Sequence, residues 1–215
     1  MSRPAAMSTT SFGVLGLLAV RPYSSYELTK AMGLSVGRVW PRAASKLFEE
    51  PKKLVSYGYA TAAQEHAGRR PRTVYTITPA GRAALAAWLS EPGGGPSLEF
   101  EGLLKLIFAE FGNKADAIAT IERARAWSVE MNTSSIAAGE RFAEGAGRHQ
   151  ARHGQALLMG AFLTDFYAMV ARWADWATEQ IESWPEDIAS HRPDRRTVAA
   201  INERARWSVR PNDDS

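Results

Sequence analysis

Cysteine is absent from the 215-residue chain, which excludes disulfides, thiolate metal sites and a cysteine nucleophile. A reducing cytoplasm fits that absence. Long apolar runs are scarce too. The longest late stretch, Ala156–Ala171, is interrupted by Asp165 and falls short of the ~20 residues a spanning helix needs. Near the start Phe12–Val20 is apolar, but Arg3 is the lone early charge and no small-x-small site precedes Arg21-Pro22. Neither a signal peptide nor a membrane partner is therefore expected. Nothing resembles a nucleophile with an ordered base, or a carboxylate pair in a defined cleft, so an enzyme is not expected. With 45% apolar and 23% charged residues, the chain has ordinary globular composition.

Acidic residues are few in the first part of the chain. Residues 1–90 carry 12 Lys+Arg against four Asp+Glu, whereas residues 91–215 carry 14 against 19. A basic module followed by an acidic one suits the first to a polyanion. The patterning agrees with that division. Residues 1–10 are small and polar and are expected to be disordered. A buried helix over Ser11–Val20 is stopped by Arg21-Pro22. Ser24 and Glu27 then have capping-box spacing for a second helix ending near Met32, with Gly33 at its C′ position. A third helix is predicted from about Pro41 to Tyr57, with a bend or break at Glu50–Pro51 because an interior proline removes a hydrogen bond. Tyr59–Gln64 and Thr73–Thr78 read as strands around an arginine-rich turn, and Thr78-Pro79 opens a fourth helix reaching Trp88-Leu89.

Helix, helix, helix, hairpin, helix over residues 11–90 is the order of a winged helix-turn-helix. Its third helix fits a major groove, and a narrow cationic hairpin can reach a neighbouring phosphate wall. The residues expected to bind DNA are Arg38, Arg42, Ser45, Lys46, Lys52 and Lys53, before or along helix 3, and Arg69, Arg70 and Arg72 at or beside the wing tip. Neutralising about six phosphates would give a salt slope near −5 to −6.

Residues 91–97 (E-P-G-G-G-P-S) form a linker. It lacks the Lys-Ser/Thr of a phosphate loop. Beyond it strand signals disappear, and residues 98–184 read as a helical domain: Leu98–Phe111, a long helix after Asn113, and a last strong helix over Gln150–Trp184. On that helix Met159, Phe162, Phe166, Met169, Trp173 and Trp176 alternate spacings of three and four, and Leu163, Val170, Ala177 and Trp184 repeat every seven. Such a two-sided seam carries more aromatic surface than one helical hairpin covers, so a second subunit is expected against it. The expected fold is thus mainly α: an N-terminal winged helix-turn-helix with a β-hairpin wing, and a C-terminal α-helical dimerisation domain. Residues 185–215 form a polar tail with one short helix over Thr197–Trp207.

The segment F-G-V-L-G-L-L-A-V-R-P-Y-S-S-Y-E-L-T-K (Phe12–Lys30) resembles the opening of PadR-type transcriptional regulators, where an I-L-G-L-L run, a proline and a G/S-Y-E-L helix recur. Arg70–Leu89, R-P-R-T-V-Y-T-I-T-P-A-G-R-A-A-L-A-A-W-L, resembles their wing strand and fourth helix, typically R-K-Y-Y-x-L-T-x-x-G-R. The resemblance implies a homodimeric, usually repressing regulator of near-palindromic operators. By position, Lys46-Leu47-Phe48 stands where the family commonly has S-L-Y, and Pro51 replaces an apolar residue.

The aromatic seam has two readings, a packed dimer core or a pocket. Trp127, Met159, Phe162, Phe166, Met169, Trp173 and Trp176 are the candidates for either, and the resemblance implies a small aromatic effector, since some members bind flat phenolic acids or drugs between such helices. His149 and His153, four apart, are too few for a zinc site, so neither a metal nor a cofactor is expected. His66 and His191 read as solvated. Two other functions stay open: a winged-helix protein-interaction adaptor without sequence-specific DNA binding, and a small enzyme using His149 and His153.

Overall fold

The computed structural model describes residues 7–34, 36–41, 44–67, 70–143 and 153–208. The chain divides into two compact units, Met1–Pro96 and Ser97–Ser215.

In the first unit, α1 (Thr9–Val20) starts two residues before the sequence suggests, because Ser8 and Ser11 cap each other reciprocally. It buries Val14, Leu15, Leu17 and Leu18. The predicted capping box forms at α2 (Ser25–Leu34): the Ser24 amide donates to the Glu27 carboxylate at 2.8 Å, and the Glu27 amide donates back to Ser24 Oγ at 3.3 Å. Gly33 is not a C′ residue. The helix runs through it, and among the described residues positive φ occurs at Gly58 alone (74°). A 3-10 turn at Val36–Arg38 leads to α3 (Ala44–Ser56).

Two expectations about α3 are corrected. Pro41 lies outside the helix, and Pro51 lies inside it without a break. Leu47, Glu50, Pro51 and Leu54 recur at helical spacing and are all buried. The proline ring is thus part of the core-facing stripe, and its burial offsets the hydrogen bond its missing N–H forfeits.

The sheet has three strands in the order β1-β3-β2, all antiparallel. The short β1 (Tyr23–Ser24) was not anticipated; it pairs Tyr23 with Tyr75 and Ser24 with Val74. β2 (Ala60–Ala67) and β3 (Arg70–Ile77) are longer than predicted. Their register, from Ala60↔Ile77 to Ala67↔Arg70, takes Glu65, His66, Pro71 and Arg72 out of the turn and into the ladder. α4 (Pro79–Ser90) has Thr78 as its N-cap, its hydroxyl accepting from the Gly81 amide at 3.0 Å. Gly81 is required there, since a Cβ would meet the Tyr59 carbonyl oxygen. Phe12 stacks on Trp88 at 4.9 Å, joining α1 to α4.

The second unit contains α5 (Glu101–Ile107), a 3-10 turn at Ala109–Phe111, α6 (Lys114–Ala143), α7 (His153–Glu182) and α8 (Arg195–Ala205). α6 and α7 run antiparallel: Lys114 meets the end of α7, and Trp127 meets Phe166 and Tyr167 farther back along it. Of the α6 row expected at Ala117, Ile121, Ala124, Ser128, Met131, Ser135, Ala138 and Phe142, the first four are buried and Met131, Ser135 and Ala138 are half-buried, while the Phe142 side chain falls outside the described residues. On α7 the buried face is Leu163, Tyr167, Val170, Ala174, Ala177 and Ile181, so one predicted row is the core seam within the chain. Trp184 lies past the end of the helix. Leu104, Ile107, Phe108 and Phe111, on and just after α5, are all exposed. One further expectation is corrected. By length and composition Gly154–Glu182 is long and apolar enough to cross a membrane. Asp165, Arg172 and Asp175 occupy exposed positions along it, and its other face is the core just described.

Candidate nucleic-acid interface

Because α3 buries Leu47, Glu50, Pro51 and Leu54, its opposite side turns Phe48, Glu49, Lys52, Lys53 and Ser56 to solvent. The helix is held by a buried polar clamp that sequence reasoning missed. Glu50 is 5% exposed; its carboxylate accepts from Ser11 Oγ of α1 at 2.5 Å and from Lys53 Nζ at 2.8 Å. That hydrogen bond with Glu50 raises the Lys53 pKa above its ordinary value. The signal was available, since an acidic residue stood on the Leu47/Leu54 face. Trp40 adds a second tie, its indole N–H donating to Thr10 Oγ1 at 3.0 Å.

The structure places the predicted cations unevenly. Lys52 is paired with Glu49 at 3.0 Å and Lys53 with Glu50. Arg72 sits two residues into β3, opposite Glu65, and is paired with it at 3.0 Å. Arg38 lies in the 3-10 turn before α3, half-buried. Arg42 and Arg69 fall outside the described residues, as do the side chains of Ser45, Lys46 and Arg70. At the start of α2 the Glu27 carboxylate accepts from the Ser24 amide and hydroxyl, with Arg21 3.3 Å away, and these donors hold its pKa below the usual value.

In the second unit a cavity of about 790 Å³ opens among α5, α6 and α7. Four of the seven predicted aromatic or Met residues line it: Trp127, Phe166, Met169 and Trp173. Phe100, which the sequence reading did not single out, meets Trp173 edge-on at 5.7 Å. The rim carries Arg123 and Thr120, and Lys105, which is paired with Glu101. Met159 and Phe162 are not in this lining. Phe162 is exposed and stacks on Phe166 at 6.5 Å, and Trp176 lines a separate recess against α8. His191 is not simply solvated, since it stacks on Trp184 at 4.4 Å. His149 and the side chain of His153 fall outside the described residues. No group of three or more His, Asp or Glu that could hold a metal occurs among the described residues.

Comparison with known proteins agrees with this geometry. The model of the Transcriptional regulator PadR-like family matches residues 14–87. The negative transcriptional regulator PadR of Bacillus subtilis is 30% identical over 84 residues, which are 39% of this chain and 46% of that protein. The chain spans less than half the length of the curated relatives it matches. Among solved structures, Bacillus subtilis PadR in complex with operator DNA aligns with a TM-score of 0.71 at 20% identity, over 82% of this chain and 99% of that one. The same protein in complex with p-coumaric acid aligns at 0.61 and 19%, over 83% and 99%. At such identities the structural likeness establishes the fold, and it extends the match from the winged helix into the helical unit.

Proposed function

Because the chain belongs to the PadR-like family of DNA-binding transcriptional regulators, we propose that it is a cytoplasmic repressor that binds near-palindromic operators as a homodimer and is released by a small aromatic effector. The observation that carries this reading is the two-sided build of α3: one side is locked into the core through Leu47, Glu50, Pro51 and Leu54, and the other is presented to solvent on a scaffold with a β-hairpin wing. A rigid helix presented in this way fits a major groove. The domain limits follow the sequence reading: residues 11–90 bind DNA, 91–97 link, and 98–184 dimerise. Leu104, Ile107, Phe108 and Phe111, exposed together on and just after α5, are the surface a second copy would cover. Two recognition helices held about 34–36 Å apart would read successive turns of one duplex face.

The effector reading rests on the aromatic cavity. Trp127, Phe166 and Trp173 offer ring faces and edges to a flat apolar molecule, and Arg123 at the rim suits a carboxylate. In the relative, p-coumaric acid is such a molecule. Random-site selection of duplexes at physiological salt, followed by footprinting, tests the proposal. The expected result is a motif with twofold symmetry and half-sites one helical turn apart, bound less tightly when an aromatic acid is added. Binding without preference among duplexes would refute it.

A further inference from the structure

Of the cations predicted to meet DNA, Lys52, Lys53 and Arg72 are already engaged by carboxylates of the chain itself. A cation so engaged releases few counterions when a phosphate arrives, so these three add little to the electrostatic grip and other cations of the unit gain weight. Lys30 on α2 is exposed and has no carboxylate partner among the described residues. One turn before it stands Tyr26, 72% exposed. Leu28 and Met32, each 1% exposed, fix α2 in the core by its other side, so Tyr26 and Lys30 share the outward face, about 6 Å apart by helical geometry. The neighbouring acid does not compete for the lysine, since the Glu27 carboxylate is turned to Ser24 and Arg21. In a helix-turn-helix the helix before the recognition helix crosses the DNA backbone, and lysine and tyrosine are phosphate-contacting residues.

We infer that Tyr26 and Lys30 form a clamp on the sugar–phosphate backbone of duplex DNA, Lys30 supplying charge and the Tyr26 hydroxyl a directed hydrogen bond. The inference rests on the DNA-binding reading above and extends it to residues outside α3 and the wing. The test is a fluorescence-anisotropy titration of a labelled mixed-sequence duplex with the full chain, between about 50 and 200 mM salt. Lys30→Ala should make the log–log salt slope shallower by about 0.9 and weaken binding about fivefold at 0.15 M salt, while Lys30→Arg keeps the wild-type slope. Tyr26→Phe should weaken binding roughly threefold with the slope unchanged. Both side chains are exposed, so the thermal midpoints should stay at the wild-type value, which separates a contact role from a folding defect. A wild-type slope in Lys30→Ala together with wild-type affinity in Tyr26→Phe overturns the clamp and leaves DNA binding standing. Absence of salt-dependent binding by the wild-type chain removes the clamp and the reading beneath it together.

Discussion

Replacing Ser11 by alanine probes the clamp between α1 and α3. The Ser11 hydroxyl has two tasks: it donates to the buried Glu50 carboxylate at 2.5 Å, and it completes the reciprocal cap with Ser8 at the start of α1. Losing a hydrogen bond to a buried charged group costs about 1.5–3 kcal/mol. Loss of the reciprocal cap adds about 0.5–1 kcal/mol. The sum is roughly 2–4 kcal/mol, a large share of the ~5–15 kcal/mol stability of a typical domain. Urea unfolding should therefore show a lower midpoint at unchanged m-value. A double-mutant cycle with Glu50→Ala isolates the contact, and its coupling energy should be about 1.5–3 kcal/mol. Glu50→Gln should fall between wild type and Glu50→Ala, because the carboxamide still accepts from Ser11 but carries no charge. A coupling energy below about 0.5 kcal/mol would refute the claim that this hydrogen bond holds the recognition helix.

Other consequences follow from the capping chemistry. Donors from Ser24 and Arg21 keep the Glu27 pKa below its ordinary 4.5. Stability from this group is thus fully present above that pH and is lost as pH falls through the folded-state value. Unfolding midpoints between about pH 3 and 6 should fall less steeply in Glu27→Gln than in wild type; parallel curves would contradict the assignment. Lys114 donates to the carbonyls of Glu182 at 2.8 Å and Trp184 at 2.7 Å, closing the C-terminal end of α7 against the start of α6. Lys114→Met should cost about 2 kcal/mol and speed amide hydrogen exchange in the last turn of α7, and unchanged exchange there would show that these bonds do not hold the helix end.

Much of the winged helix was legible because its signals are local. A capping box, a Thr-Pro helix start and β-branched alternation are each decided within a few residues of chain. The failures came where tertiary packing overrode a local rule. Pro51 is a helix breaker on its own, but at that position it lies on the face that also carries Leu47 and Leu54, and the whole stripe is buried. The strands outran their predicted ends for a related reason. Pairing Glu65 with Arg72 across the ladder favours continuing it, whereas those charges in a linear reading look like a loop.

The site was harder to read than the fold, because net charge counts cations without asking what already neutralises them. Residues 1–90 hold 12 basic residues and only four acidic ones, yet Glu49, Glu50 and Glu65 are spent on three of the cations assigned to DNA, and the fourth acid, Glu27, is turned to Ser24 and Arg21. The pairings Glu49–Lys52 and Glu50–Lys53 were visible as i, i+3 spacings on a predicted helix. The Glu65–Arg72 pair needed the hairpin register, and the predicted strands stopped one residue short of it on each side. The same blindness to partners affected the aromatic row. A stripe of Met, Phe and Trp at helical spacing specifies that a face is apolar, and leaves open which other element meets it. Here α6 covers the Leu163–Ile181 side of α7, and Trp127, Phe166, Met169 and Trp173 line the cavity among α5, α6 and α7.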